Sequence, residues 1–158
     1  FEQCGGEDAP LVEVCPCGDN EYPGRYRDYT LRQLCQEMHD LYVSFDGKDL
    51  QKAMFRQQSF PSVVMNPQDA HSAYIRGDVE LVRIRDAEGR IAAEGALPYP
   101  PGVLCVVPGE VWGGAVQRYF LALEEGVNLL PGFSPELQGV YSETDADGMK
   151  RLYGYVLK

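Results

Sequence analysis

The chain has 158 residues, 44% of them apolar and 11% aromatic, which suits one packed domain able to bury about two thirds of its unfolded surface. Its 24 acidic and 14 basic side chains leave a net charge of −10, which argues against disorder and against nucleic acid as the main partner. The longest apolar run, 103–107, falls far short of the roughly 20 residues that a membrane-spanning helix needs.

Residue 1 is Phe, and Phe1-Glu2-Gln3-Cys4 lacks the charged, apolar and small-residue order of a signal peptide, so the expectation is a piece of a longer chain. Residues 1–27 carry Gly5-Gly6, Cys15-Pro16-Cys17-Gly18 and Pro23-Gly24 without helical or strand periodicity, and read as a lead-in or linker ahead of a domain over 28–158. Thr30-Leu31-Arg32-Gln33 has the spacing of a capping box, and Leu31, Leu34, Cys35, Met38, Leu41 and Tyr42 share one stripe, which predicts a helix over 30–43. A second helix is expected over 49–58 and a third from Pro67, behind the Asn66 cap, to Arg76, with Gly77 as its stop.

From Asp78 to Ile84 the β-branched content rises, and after a turn at 86–89 the segment 90–94 is expected to return as a neighbouring strand. Pro98-Tyr99-Pro100-Pro101-Gly102 reads as a rigid extended loop that forbids regular pairing, because prolines lack the donor. Val103 to Val107 then reads as a strand buried on both faces, and 111–125 as a helix with Trp112, Ala115, Val116, Tyr119, Phe120 and Leu123 inward and Gly126 as its stop. Residues 138–143 and 150–157 flank an Asp-Gly turn as a C-terminal β-hairpin. The elements do not alternate regularly enough for a doubly wound sheet. The expected class is α+β, a single domain of several helices packed on a small mixed or antiparallel sheet.

The five cysteines are an odd set without the density of a secreted scaffold, which points to thiols in a reducing cytoplasm. Cys4, Cys15, Cys17 and Cys35 are enough sulfurs for a zinc site, but their spacing is poor, and ordinary thiols are preferred, with Cys35 and Cys105 as small core hydrophobes. His39 and His71, the only imidazoles, stand beside no nucleophile motif. No phosphate-binding glycine motif occurs, and Asp145-Ala146-Asp147-Gly148 reads as a turn rather than a calcium loop. No metal site is expected.

The most specific feature is the proline loop with Pro108-Gly109-Glu110 after it. Together with Leu130-Pro131-Gly132-Phe133 and Gly139-Val140-Tyr141, in that order, it resembles the C-terminal domain of the bacterial pyridoxal-phosphate-dependent ornithine, lysine and arginine decarboxylases. The run from Tyr29 to Tyr42 and Met65-Asn66-Pro67-Gln68 resemble the ornithine branch. The resemblance covers about 25–158.

The resemblance implies a parent enzyme that converts L-ornithine to putrescine and carbon dioxide. It also implies a cofactor lysine in a Ser-x-His-Lys segment of a large preceding domain. Lys48, Lys52, Lys150 and Lys158 are the only lysines here and none follows a histidine, so no catalytic or cofactor-binding residue is expected in this chain, which by itself should be inactive. Its expected role is to pack against the larger domain of a homodimeric or larger enzyme and to form part of the active-site rim. Glu94, Tyr99 and Glu110 are the candidates for that substrate entrance, and Arg90 is the candidate anchor of the proline loop. The competing reading is an independent acidic module that binds a basic partner or a polyamine.

Overall fold

A computed structural model describes residues 6–16, 21–99, 102–133 and 135–158. In chain order the helices are α1 (Leu11–Val14), α2 (Leu31–Ser44), α3 (Gly47–Met54), α4 (Pro67–Arg76) and α5 (Gly114–Leu129). The strands are β1 (Val79–Arg83), β2 (Leu97–Tyr99), β3 (Glu136–Gln138), β4 (Tyr141–Thr144) and β5 (Lys150–Leu157). The class is α+β, and both sheets are antiparallel: a three-stranded one in the order β1-β5-β4 and a two-stranded one of β2 and β3.

Local sequence accounts for the first helices. Thr30 Oγ1 accepts the Gln33 N–H at 3.2 Å while Gln33 Oε1 accepts the Thr30 N–H at 2.8 Å, closing the capping box at the start of α2. Asn66 caps α4 by accepting the Gln68 N–H, Pro67 takes the first turn, and Gly77 ends it at φ 80. The second helix spans Gly47–Met54, not 49–58. Asp46 in the left-handed region turns the chain into it, and a 3₁₀ turn follows at Gln57–Ser59.

Several expectations give way to tertiary pairing. Residues 90–94 form no strand beside β1; β5 takes that place in the register Val79↔Leu157 to Arg83↔Tyr153, and Ala92 keeps only a single bridge to Val156. The start of the proline loop does pair, with Leu97↔Gln138, Pro98↔Leu137 and Tyr99↔Glu136. An antiparallel ladder uses donors at alternate residues, so one proline is tolerated at a position whose N–H would point away. Pro100 and Pro101 lie outside the described residues. The segment 103–107 is no strand buried on both faces: Val106 is buried and bridges Ala96, whereas Val103 and Leu104 are exposed.

Helix α5 begins after Gly113 and runs past Gly126 to Leu129. Gly126 therefore does not stop it: a side chain there would come within 3.5 Å of Leu41, so this glycine lies where α5 passes α2. Trp112 lies just before the helix but, as expected, points inward with Ala115, Val116 and Phe120. These side chains, Ile84, Leu152 and Val156 form the main core, with Trp112 and Phe120 edge to face at 5.5 Å. The hairpin is shorter than its sequence pattern, since Gln138 belongs to β3, but Asp145 Oδ1 accepts the Asp147 and Met149 N–H groups to shape the expected turn.

The described part of 1–27 also departs from a featureless linker. Leu11 and Tyr26 are buried with Leu34 and Leu130, Leu11 N–H donates to Tyr29 O at 2.8 Å, and Tyr26 Oη donates to Pro131 O at 2.8 Å. One four-residue helix is too short to show periodicity, so only its packing reveals it.

Gly139 joins the two sheets at φ 73, and a Cβ there would stand 1.8 Å from Gly95 O. Backbone cannot yield as a flexible side chain can. Gly139→Ala should destabilise the fold by about 3 kcal/mol or more, read as a shifted denaturant midpoint, and a midpoint within error of the parent would contradict this packing.

Candidate functional site

Of the four residues singled out beforehand, Glu94 has the most developed surroundings. Its neighbour Ala93 donates its N–H to Tyr155 O on β5 at 3.0 Å, and Glu94 Oε2 accepts the Tyr141 hydroxyl at 2.8 Å. Tyr141 and Tyr74 each meet Tyr155 edge to face, with ring centroids 5.4 and 5.3 Å away. Withdrawal from water, then the hydrogen bonds with Glu94 and Tyr74, hold the Tyr141 hydroxyl well above the usual phenol range. The result is a half-buried carboxylate bonded to Tyr141, whose ring is in turn braced by Tyr155 and Tyr74, an arrangement able to attract a cation while the phenol keeps the acid in place.

The other three lie elsewhere. Tyr99 is about half exposed on β2, its ring against Gly102, where an added Cβ would approach it to 3.1 Å. Glu110 turns back on its own loop: Oε2 accepts the Val107 N–H at 2.8 Å across Pro108-Gly109. Arg90 pairs with Glu80 on β1 and donates to Leu157 O at 2.8 Å, so it fastens the turn before 91–94 to the large sheet. Among the described residues its partners belong to β1 and β5 rather than to the proline loop, and Glu110 braces the segment after that loop. The backbone brings the segments together through Ala92 N–H to Glu110 O at 2.7 Å, but the Glu94, Glu110 and Arg90 side chains keep separate partners. Tyr74, Tyr141 and Tyr155 were not foreseen around Glu94, because nothing local marks residues so far apart in the chain.

A second polar group ties α5 to β5. Strand β1 ends opposite Tyr153, so the edge of β5 beyond it lacks a strand partner there, and α5 supplies side chains instead. Buried Glu124 Oε2 accepts the Leu152 N–H at 2.6 Å, and Asn128 exchanges two hydrogen bonds with the Lys150 backbone, at 2.8 and 2.9 Å. One helical turn pair earlier, Gln117 donates to Ile84 O at 2.7 Å. Glu124 Oε1 also lies 3.7 Å from both Arg83 Nη2 and Arg151 Nη1, and Arg151 Nε donates to Asp145 at 2.7 Å. A buried carboxylate is tolerated here because its charge and lone pairs meet donors on several sides.

Among the described residues no group of three or more His, Cys, Asp or Glu is placed to hold a metal ion, and no helix is long and apolar enough to cross a membrane. Cys4 and Cys17 lie outside the described residues. Cys105 is buried and its thiol is pushed up to about 11 by that burial, whereas Cys35 is exposed and is not the core residue the helical stripe implied.

The family profile described as Orn/Lys/Arg decarboxylase, C-terminal domain, matches residues 48–158. The chain belongs to that family. It is 92% identical over all 158 residues to the constitutive ornithine decarboxylase of Escherichia coli (strain K12) and spans 22% of that enzyme. It is 68% identical to the inducible ornithine decarboxylase of the same organism, spanning 21%. The solved structure of lysine decarboxylase A from Pseudomonas aeruginosa superposes on the whole chain with a TM-score of 0.87 at 30% identity, over 21% of that protein. These matches take in residues 1–24 as well, which the motifs had left out.

The family implies pyridoxal phosphate, and the lysines among the described residues do not fit it. Lys48, Lys52 and Lys158 are exposed, Lys158 Nζ reaching Gly77 O, and Lys150 sits at the turn end of β5. Lys48 and Lys52 border an open depression whose other lining side chains are mostly apolar, which offers a phosphate and a pyridine ring no built seat. No step is therefore routed through the cofactor here.

The Asp145 carboxyl is held below the usual carboxylate range, first by the Arg151 hydrogen bond and then by the Met149 N–H. A depressed folded value contributes stability above the unfolded range that disappears as pH falls through the folded one. Asp145→Asn should lower the urea midpoint at about pH 7, and the deficit should shrink in acid; an equal deficit at both pH values would contradict the ion pair. Glu124→Leu should cost about 3 kcal/mol by leaving Arg83 without its counter-charge and the Leu152 N–H without its acceptor, and an unchanged unfolding free energy would contradict that role.

Proposed function

We propose that this chain is the C-terminal, non-catalytic domain of a pyridoxal-phosphate-dependent ornithine decarboxylase that converts L-ornithine to putrescine and carbon dioxide in the cytoplasm. Near-identity along the whole chain to an enzyme named for ornithine carries this reading. Bound in the large preceding domain, pyridoxal phosphate supplies the electron sink for loss of carbon dioxide. Residues 28–158 form the domain, and the segment before them leads in from the larger part of a homodimeric or larger enzyme. Taken alone, the 158 residues release no carbon dioxide from ornithine.

The work of this domain is to shape the rim of the active-site entrance. Ornithine carries two ammonium groups at neutral pH, so a fixed carboxylate at a rim raises its local concentration and repels anions. Glu94 is the residue best suited to this, because Tyr141 and the sheet hold it in place. Tyr99 offers an exposed ring on β2, and Glu110 acts through the loop it braces.

In the full-length enzyme loaded with its cofactor, kcat/KM should be higher for L-ornithine than for L-lysine; the reverse order would overturn the ornithine reading. Glu94→Gln keeps an acceptor for Tyr141 but removes the charge. It should raise the KM for ornithine roughly threefold at low salt while kcat stays within about twofold, and the effect should fade as salt screens it. Unchanged kinetics at low salt would take Glu94 out of the entrance.

A further inference from the structure

One hollow on the chain gathers charges that its own fold leaves unused. It is an open space of about 930 Å³ between α3, α5 and the 3₁₀ turn at Ile84–Asp86, with Leu50, Ala53, Leu121 and Ala122 as its apolar lining. Arg56, Arg85 and Arg118 line it as well, and none of their guanidinium groups has an ion pair or hydrogen bond among the described residues. The carboxylates of Asp46, Asp49 and Glu125 line it too, and they are equally without an ion pair among the described residues. The remaining charges at its wall, Glu124 and Arg151, are already engaged with each other, with the Leu152 N–H and with Asp145.

The two sets of free charges stand at opposite ends. Gly47 at the start of α3 shares a small apolar space with Gly126 near the end of α5, while Gln51 Nε2 donates to Tyr119 Oη at 3.3 Å, so the two helices run in opposite directions. Arg56, just past the end of α3, therefore stands at the same end as Arg118. Arg85 joins them because Gln117, beside Arg118, donates to both Ile84 O and Arg85 O. Asp46 and Asp49 stand at the start of α3, at the other end, and Glu125 lies about 10 Å along α5 from Arg118. Three like charges kept together without counter-charges oppose folding, and a bound opposite charge offsets that repulsion.

We propose that this hollow binds an amino acid with a cationic side chain, its carboxylate toward the three arginines and its distal ammonium toward the three acids. A guanidinium fork suits a carboxylate, which accepts two parallel hydrogen bonds, and acids suit an ammonium as a point charge. The apolar strip between the two ends suits a methylene stem. The charge pattern asks for a zwitterion with separated ends; the choice of a diamino acid rests on the ornithine decarboxylase reading. Decarboxylation removes the group that the arginines take. The hollow therefore holds L-ornithine and releases putrescine, whose two ammonium groups the arginine end repels. It is much wider than one such molecule, so charge and bridging water, rather than shape, hold the ligand.

Calorimetric titration of the full-length enzyme with 5-aminopentanoate tests this without reference to turnover, because the probe has the carboxylate and distal ammonium of ornithine but no α-amine. It should bind at least about tenfold tighter than pentanoate or putrescine, and more weakly as salt is added. Arg118→Ala and Asp49→Asn should each weaken it at least about fivefold, whereas Arg76→Ala, on α4 outside the hollow, should not. Both altered side chains are exposed, and an unchanged denaturant midpoint checks the fold; should Arg118→Ala unfold, Arg56→Gln carries the same readout. No measurable binding, putrescine held as tightly as 5-aminopentanoate, or equal effects of Arg118→Ala and Arg76→Ala would overturn the proposal. Carbon dioxide release from ornithine is scored separately. An enzyme that decarboxylates ornithine yet does not favour the probe over putrescine loses this site alone, and one that shows the stated binding without decarboxylation loses only the functional reading.

Discussion

The fold depends on how α5 completes β5. The last strand is longer than β1, and the part that extends past it would leave buried and half-buried N–H groups unmet. Glu124 and Asn128, four residues apart and so on one face of α5, take those donors. Gln117, two turns earlier on the same helix, fixes the 3₁₀ turn that follows β1. A helix with a polar line inside an otherwise apolar face thus acts as a partial strand, and Trp112, Phe120 and Leu152 can close around it without stranding a backbone group.

That arrangement sets what the surface can offer. β5 is fixed against α5, and Ala93 and Arg90 are both bonded to the β5 backbone, so the segment from 90 to 94 is positioned although it forms no strand. Glu94 inherits this rigidity and receives Tyr141 from the neighbouring strand. The same ladder of single bridges continues through Ala92, Gly109 and Glu110 to the 62–65 stretch, which presents its valines outward. Charge at one place and apolar surface at another are both consequences of one braced framework.

Legibility differed by the range of the interaction that decides each element. Helices α2 and α4 were readable because Thr30, Gln33, Asn66, Pro67 and Gly77 act on neighbours within a turn. The pairing of β1 was not, since β5 and 90–94 were both chemically acceptable partners and only the packing of Ile84 and Leu152 on α5 separates them. Gly126 is carried inside α5, which runs on to Leu129 despite a helix propensity cost of about 1 kcal/mol. Arg90 pairs with Glu80 of β1, ten residues away, a partner that the course of the chain between them brings within reach.

By itself the sequence determined the α+β class, the capped helices, the closing hairpin and, through its ordered proline and glycine motifs, the resemblance to a decarboxylase domain. Those features are local, or are carried by residue identity, and need no knowledge of neighbours. Long-range packing settled which strand lies beside β1, that Glu94 accepts the Tyr141 hydroxyl of β4, that the described part of the lead-in is packed, and which apolar side chains remain uncovered. Each of these depends on groups distant in the chain competing for one partner, and that competition is settled by burial and hydrogen-bond completeness rather than by any spacing visible along the polypeptide.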